Sequence, residues 1–320
     1  MNPSIFQAYE LSEWHPSYGD PHEFGHQSDE PAVLVEGSHW DVKAGLSDSL
    51  RPPLAFVDGV RNIEAYLHPT TAGQPAPESE RESGLAVTLA AGAVLPKSPH
   101  DPRLTYSHFV IEKLLIGRGL RSELASGPSG LEWGTLDSGE EEPQMRALKR
   151  LREIESEVAA QLAATGIVVI CDGPLQANHL SYQSLAAQLV GYVKTQSQSI
   201  VNGPGPELLT RLLPRMRTSV FRWQGRYACF LRLGNPSSQL SSGWRGVIRL
   251  ECSDALAAPT AIQLLSTVAT HLPDFGSEPH YEPRAPQNLQ PIISLERELR
   301  KRLGDRKLSL RYLRDRANAS

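Results

Sequence analysis

Two short apolar runs in this chain lead into an aspartate that is followed at once by a glycine. Runs of this length, rich in Val and Ile and closed by a turn residue, are typical of buried strands. The pattern therefore predicts one strand over residues 54–58 and another over residues 166–171. Asp58 and Asp172 would then lie at the carboxyl ends of two core strands, where the backbone turns and a cleft can open.

The remaining pattern predicts a mixed α/β domain. Alternating segments over 61–68 and 84–95 follow the first strand and suggest an antiparallel meander. A helix over 143–164 then precedes the strand that ends at Asp172. Further helices are predicted at 180–190, 206–213, 259–271 and 294–303, and further strands at 192–195, 219–223, 227–233 and 246–251. This order resembles a ribonuclease H-like fold: a mixed sheet, antiparallel and then parallel, flanked by helices.

The domain organisation follows from shifts in composition. Residues 1–50 are rich in His, Pro and acids and suggest an N-terminal arm, whereas 51–305 suggest one domain. Within that domain, residues 121–143 are polar and glycine-rich and suggest a mobile insertion. A helical extension leads into residues 306–320, which are interpreted as a basic tail.

Composition narrows the class of protein. With 320 residues, of which 40% are hydrophobic and 21% charged, the chain is typical of a globular protein. No apolar run reaches the ~20 residues of a membrane span, and the first residues lack the pattern of a signal peptide. We therefore expect a cytoplasmic protein without membrane contact. The three cysteines are far apart and predict free thiols rather than a zinc site.

The net charge of −4 argues against bulk nucleic-acid binding, but the charge is uneven. Residues 211–232 contain six arginines and no acid, and the segment 297–316 is also rich in Arg and Lys. Such basic strips are compatible with a nucleic-acid channel. For the C-terminal segment, a solvated helix face is an equally good interpretation.

A glutamate interrupts the apolar face of the helix that precedes Asp172. Positions 148, 151, 155, 158 and 162 follow helical spacing, and all are apolar except Glu155. A buried acid must be paired or bound to a cation. Glu155 is therefore a candidate metal ligand, and the alternative is an ion pair with Arg152 one turn earlier. Glu153 and Glu157 lie off the centre of this face.

Asp58, Glu155 and Asp172 would converge from two strands and a helix. Hard oxygen donors of this kind suit Mg²⁺ or Mn²⁺, as one ion or two. Such ions can activate water and stabilise the leaving oxygen in phosphodiester cleavage. A single Asp-Gly pair is also ordinary turn chemistry, so the prediction depends on the combination.

Several segments, taken in order, resemble the NurA family of nucleases and together span residues 54 to about 305. They are Phe-Val-Asp58-Gly-Val-Arg61, Leu151-Arg-Glu-Ile-Glu155, Val-Ile-Cys-Asp172-Gly-Pro-Leu175, Gly191-Tyr-Val-Lys194-Thr, Val247-Ile-Arg249-Leu-Glu251 and a closing motif over 283–296. The resemblance implies a ribonuclease H-like, manganese-dependent DNA nuclease, with Mg²⁺ as a second possible ion. It also implies 5′-to-3′ exonuclease and single-strand endonuclease action in DNA end resection and repair, a homodimer, and a HerA-like hexameric ATPase as partner.

The resemblance also assigns site residues. It implies that Asp58, Glu155 and Asp172 are metal ligands, with Glu153 or Glu157 as alternatives to the glutamate, and that Lys194 contacts phosphate. The family often completes its site with a C-terminal histidine, but here the corresponding stretch has Asn288, a possible fourth site residue, and the nearest histidine is His280. The further residues that we expect to contact DNA are Arg61, Arg217, Arg249 and Arg284.

Two other functions are compatible with the pattern. The chain could be an inactive ribonuclease H-like adaptor that docks a DNA translocase, although the retained carboxylates argue against this. It could also be a related phosphotransferase, but those enzymes need a glycine-rich phosphate loop. The stretch after Asn202 is rich in Gly and Pro and lacks a following GK[ST]. We therefore expect no ATP site in this chain, so that energy would come from a partner.

Overall fold

A computed structural model describes most of the chain. The described residues are 9–12, 31–46, 51–71, 74–75, 84–98, 103–120, 132–175, 183–194, 204–234, 246–278 and 285–318. Most of the N-terminal arm and residues 121–131 of the predicted insertion lie outside them. Among the described residues, no helix is long and apolar enough to span a membrane.

One large mixed sheet forms the centre of the fold. Its strands are β1 Tyr9–Ser12, β2 Val33–Leu34, β3 Val42–Lys43, β4 Leu54–Thr71, β5 Gln74–Pro75, β6 Gly84–Pro96, β7 Leu104–Gly117, β8 Gly134–Asp137, β9 Val168–Asp172, β10 Leu189–Val193, β11 Arg217–Thr218, β12 Phe221–Trp223, β13 Arg226–Arg232 and β14 Val247–Ser253. The main path runs β2-β12-β13-β14-β10-β9-β4-β6-β7-β8.

The central part of this path confirms the predicted fold class. Strands β4, β6 and β7 form an antiparallel meander. Strand β9 then lies parallel to β4, and β10 lies parallel to β9. The order β7-β6-β4-β9-β10 is the ribonuclease H-like arrangement that the sequence predicted, and β14 continues the sheet beyond β10 in the antiparallel direction.

The meander differs from the prediction in one important respect. The two strands predicted at 54–58 and 61–68 are a single strand, β4, which continues through Asp58 and Gly59 without a turn. Both residues pair with β6, in the register Asp58 to Gly92 and Gly59 to Ala91. An Asp-Gly pair favours a turn only when no partner strand holds the backbone extended, and β6 does so here. The third strand of the meander is β7, which the hydrophobic pattern did not reveal.

Helices cover both faces of the sheet. They are α1 Pro143–Ala163, α2 Pro206–Arg211, α3 Ala258–His271, α4 Gln290–Arg302 and α5 Arg306–Asn318, with 3₁₀ turns at Gln183–Gln188 and Leu272–Phe275. The helix predicted at 180–190 is a 3₁₀ helix over Gln183–Gln188, and β10 follows it directly. Residues of α1 pack on one face with Val57 and Val169, and residues of α3 and α4 pack on the other with Phe56 and Ile170.

The segment interpreted as a basic tail contains a docked helix. On α5, Leu310 and Leu313 are buried in a cluster with Ala65 and Leu67 of β4 and with Trp133. Lys113 also joins the end of α4 to α5, because its Nζ donates to the carbonyl of Leu303 at 3.4 Å and to Ser309 Oγ at 3.1 Å. The C-terminal helix is thus part of the folded unit.

Removing the buried leucine should destabilise the protein. Leu313 is fully buried, so Leu313→Ala leaves a cavity and should lower the free energy of unfolding by about 3 kcal/mol. Leu308 is 54% exposed on the same helix, so Leu308→Ala should change it by less than about 0.5 kcal/mol. Urea unfolding followed by circular dichroism measures both. Equal effects of the two substitutions would show that α5 is not docked.

Candidate active site

The candidate site is a notch where one strand of a parallel pair stops and the other continues. Residues 54–57 of β4 pair with residues 168–171 of β9, and β9 ends at Asp172. Beyond Asp58, β4 continues without β9 beside it. A pocket of about 590 Å³ forms here, lined by Asp58, Gly59, Val60, Arg61, Leu148, Leu151, Arg152, Glu155, Asp172, Gly173, Pro174, Val193, Lys194, Glu296 and Arg300.

Three carboxylates converge in this pocket. One oxygen from each of Asp58, Asp172 and Glu296 can be chosen so that all three lie within 4.8 Å of one another. Asp58 is buried, whereas the other two are partly exposed. Side chains two residues apart on a strand share a face, so Asp58 and Asp172 point to the same side as Phe56 and Ile170. That is the side covered by α4, which supplies the third acid.

Glu296 is the site residue that sequence reasoning missed. It ended the closing motif, but no ligand role was assigned to it. On α4 the apolar residues Ile292, Leu295 and Leu299 face the core, and Glu296 lies one turn after Ile292, at the edge of this face. The spacing 292, 296, 299 is the same signal that singled out Glu155, an acid within an apolar helical face.

Glu155 reaches the notch from the opposite face of the sheet. It is buried on α1, and its Oε2 accepts a 2.9 Å hydrogen bond from Arg152 Nη1. Its oxygens do not belong to the group of three that converge. The Arg152 pair, one of the two alternatives drawn from the sequence, is therefore present. Glu153 and Glu157 instead pair with Arg150 on the outer side of the helix, so neither replaces Glu155.

Glycine at position 59 allows this approach. A Cβ at Gly59 would lie 2.5 Å from Glu155 Oε1 and 2.7 Å from Leu151 Cδ1. These distances are shorter than van der Waals contact, so any larger residue would force the Glu155 carboxylate and the Leu151 side chain to move. The glycine after Asp58 thus serves close packing against a helix, and the sequence had suggested a turn.

The acids are held in an environment that opposes their charge. Burial raises the pKa of Asp58 well above its usual range, and the charges of Asp172, Glu155 and Glu296 raise it further. Burial also raises the pKa of Glu155, although the Arg152 guanidinium opposes this. Crowded acids whose charge is disfavoured are typical of sites that bind a cation.

Basic groups surround the acids. Lys194 Nζ donates to Asp172 Oδ2 at 2.7 Å, and Arg152 Nη1 donates to the carbonyl of Asp172 at 3.2 Å. Arg61 and Arg300 also line the pocket. Among the described residues, Arg61 Nη1 is buried without a hydrogen-bond partner. Burial lowers the pKa of the Arg61 guanidinium. An anionic ligand in the pocket would supply the hydrogen-bond acceptor that Arg61 Nη1 lacks.

A buried network fixes the chain that leaves Asp172. The amide of Leu175 donates to Glu251 Oε1 at 2.6 Å, and Arg226 Nε donates to the carbonyl of Leu175 at 3.1 Å. Glu251 also accepts from Arg249 Nε at 3.2 Å. Arg249 and Glu251 therefore form a structural pair, and Glu251 holds the loop after Asp172.

Some residues expected to contact DNA or complete the site lie elsewhere. Arg217 is buried and donates to Glu36 Oε2 at 2.6 Å, so its charge is paired with Glu36 within the fold. Arg249 is likewise buried beside Glu251, so neither arginine lines the pocket. Asn288 is buried and does not line the pocket, and its role as a fourth site residue stays a prediction. Arg284, like His280, lies outside the described residues.

The fold and the site together define an α/β protein with a carboxylate-lined pocket ringed by cations. No family model and no curated protein matches the chain. The crystal structure of the NurA nuclease from Sulfolobus solfataricus is similar, at 10% identity and a TM-score of 0.45, over 80% of this chain and 82% of that one. That protein belongs to the family that the sequence motifs resemble. A likeness at this level carries no argument about activity, which therefore depends on the side chains of the pocket.

Neutralising Asp58 should stabilise the metal-free protein. A raised pKa means that the folded state binds the proton more tightly, so its charge destabilises the fold once the pH exceeds the folded-state pKa. We expect Asp58→Asn to raise the melting temperature at neutral pH, in EDTA, by about 2–4 °C. The difference should shrink as the pH falls through about 4, the ordinary pKa of an aspartate, because the wild-type group then becomes protonated in the unfolded state as well.

Thermal unfolding across this pH range is the measurement. Glu140→Gln, which removes an exposed carboxylate from a surface turn, is the matched control and should leave the melting temperature unchanged. A lower melting temperature for Asp58→Asn at neutral pH would contradict the described electrostatics.

Proposed function

We propose that this protein is a nuclease that depends on a divalent cation and hydrolyses phosphodiester bonds in DNA. The observation that carries the proposal is the convergence of Asp58, Asp172 and Glu296 in a pocket whose lining also includes the cations Arg61, Arg152, Lys194 and Arg300. Acids alone would repel a polyanion. Arginine and lysine around them attract it, and the combination is typical of sites that cut nucleic-acid backbones.

The three carboxylates fit a hard divalent cation. Each offers an oxygen donor, and one oxygen from each can be chosen so that all three lie within 4.8 Å of one another. Burial first, and then the neighbouring acids, raise the pKa of Asp58, so a bound cation would stabilise its charged form. All-oxygen donor sets favour Mg²⁺ and Mn²⁺ over softer metals, and the sequence resemblance favours Mn²⁺. A bound divalent cation lowers the pKa of a coordinated water and offsets charge on the phosphodiester.

The other pocket residues have roles that follow from their positions. Lys194 lies beside Asp172 and can donate to a phosphate oxygen that reaches the carboxylates. Arg61 and Arg300 are placed to hold the neighbouring phosphates. Glu155 is proposed to hold Arg152 against the carbonyl of Asp172, and so to support the site from the opposite face of the sheet.

The sequence resemblance extends the proposal to finer properties. It favours 5′-to-3′ exonuclease and single-strand endonuclease action in end resection, a homodimer, and work alongside a HerA-like hexameric translocase in the cytoplasm. Oligonucleotides labelled at either end report polarity. A sample with the translocase added tests the partnership.

Removing any of the three carboxylates should abolish cleavage. With Mn²⁺ and linear DNA, we expect Asp58→Ala, Asp172→Ala and Glu296→Ala to lower the rate by more than about a hundredfold, the scale of losing one electrostatic group of an active site. The matched control is Glu298→Ala, two residues further along α4, where the acid pairs with Lys301 and Arg302. It should retain nearly the wild-type rate.

The outcome also separates the proposed function from its main alternative. A wild-type protein that binds DNA but cleaves none with either Mn²⁺ or Mg²⁺ would indicate an adaptor. Cleavage that survives all three substitutions would show that the activity belongs to another site or to a contaminant.

A further inference from the structure

The two C-terminal helices concentrate positive charge on a chain that is acidic overall. Residues 297–316 contain nine Arg and Lys and three Asp and Glu, a net charge of +6. Since the whole chain carries −4, the remainder carries −10. Such a separation of charge creates a local positive field on a mildly acidic protein.

These cations form a ridge on the exposed sides of the helices. On α4 they are Arg297, Arg300 and Lys301, with spacings of three and four residues, and on α5 they are Lys307, Arg311 and Arg314, with spacings of four and three. Residues so spaced share one side of a helix. All six side chains are exposed. We call this set the basic ridge.

The basic ridge begins at the pocket. Arg300 lines it, one turn after Glu296 on the same helix. From there α4 and α5 follow β4 away from the carboxylates. Arg306 donates to the carbonyl of Glu64, and Leu313 shares a buried cluster with Leu67. The nine residue-to-residue steps from Asp58 to Leu67 correspond to about 30 Å of extended strand.

Both helices lie on the same face of the sheet. Ala90 and Ala86, four residues apart on β6, share a face. Ala90 belongs to the core cluster that contains α4 residues, and Ala86 to the cluster that contains Leu310 and Leu313 of α5. The exposed sides of α4 and α5 therefore continue one another on the outside of the molecule.

We infer that the basic ridge is a second DNA-binding surface, which holds the sugar–phosphate backbone of the duplex beyond the cleaved end. The inference rests on the proposed function, because DNA in the pocket supplies the strand that the ridge would hold. One strand carries a phosphate about every 3.4 Å along the duplex axis, so 30 Å corresponds to about nine base pairs. Lys and Arg side chains are common donors to phosphate oxygens, and such contacts position the backbone without reading the base sequence directly.

The acidic residues within 297–316 do not neutralise the excess of positive charge in that segment. Glu298 pairs with Lys301 and Arg302, and Asp315 Oδ2 lies 3.9 Å from Arg311 Nε. Ion pairs this exposed are weak, and phosphates can replace them. A solvated helix face would not require the positive charge to begin at the pocket rim.

The test is DNA binding in EDTA, where no cleavage occurs, measured by fluorescence anisotropy over a range of salt concentrations. The variant is the triple substitution Lys307→Gln, Arg311→Gln and Arg314→Gln. The control triple is Lys97→Gln, Arg103→Gln and Lys149→Gln, which removes the same charge from exposed positions outside the pocket lining and outside the basic segments. Each protein is titrated with a duplex of 20 base pairs and with one of five.

On the longer duplex, the ridge variant should bind at least about tenfold more weakly, and its salt slope should fall by about 2.7, or 0.9 for each lost phosphate contact. On the short duplex it should match the wild type. The control triple should match the wild type on both. Equal losses in the two triples would indicate bulk charge alone and would overturn the inference, as would unchanged binding of the ridge variant.

These outcomes are independent of cleavage. A ridge variant with weakened binding, in a protein that does not cleave DNA, would retain the ridge and overturn the proposed function. Normal binding by the ridge variant, in a protein that cleaves DNA through its carboxylates, would retain the proposed function and overturn the basic ridge as a DNA-binding surface.

Discussion

Burial of Asp58 beside two further carboxylates is the constraint around which this structure is arranged. Asp58, Asp172 and Glu296 come from two strands and a helix that are far apart in sequence, and their oxygens approach within 4.8 Å. Burial makes this arrangement costly, as the raised pKa of Asp58 shows. A fold retains such a cluster when a ligand offsets the cost, and a divalent cation is the ligand whose chemistry fits oxygen donors.

The sheet makes the convergence of the carboxylates possible because its parallel strands β4 and β9 end at different points. Strand β9 stops at Asp172 while β4 continues, so a notch opens beside a strand that is held rigid by β6 on its other side. Side chains from both faces of the sheet can meet there. Glu296 lies on α4, on the same face of the sheet as the two aspartates. Glu155 lies on α1, on the opposite face, and approaches the notch over Gly59, which has no side chain to block it. The Glu251 network then fixes the loop that leaves Asp172.

The sequence predicted the aspartates because their signal is local: an apolar run, an acid and a glycine. Glu155 was also found locally, as an acid on an apolar helical face. Glu296 carries the same signal, but its helix lies 124 residues beyond Asp172 in sequence, and only the packing of α4 on the sheet brings it to the notch. The continuity of β4 was missed for a related reason, since the pairing with β6 decides whether Asp58 and Gly59 turn. Arg217 was expected to contact DNA, but it is buried against Glu36. This burial depends on tertiary packing, which an arginine-rich stretch of sequence does not reveal.

The central claim is that these three carboxylates hold a divalent cation, and diffraction from Mn²⁺-soaked crystals tests it most directly. Data collected at the manganese absorption edge should show an anomalous peak between Asp58, Asp172 and Glu296, with oxygen ligands at about 2.1 Å. A second peak nearby would add a second ion to the same site. Absence of a peak at this position, at Mn²⁺ concentrations that support cleavage, would contradict the account.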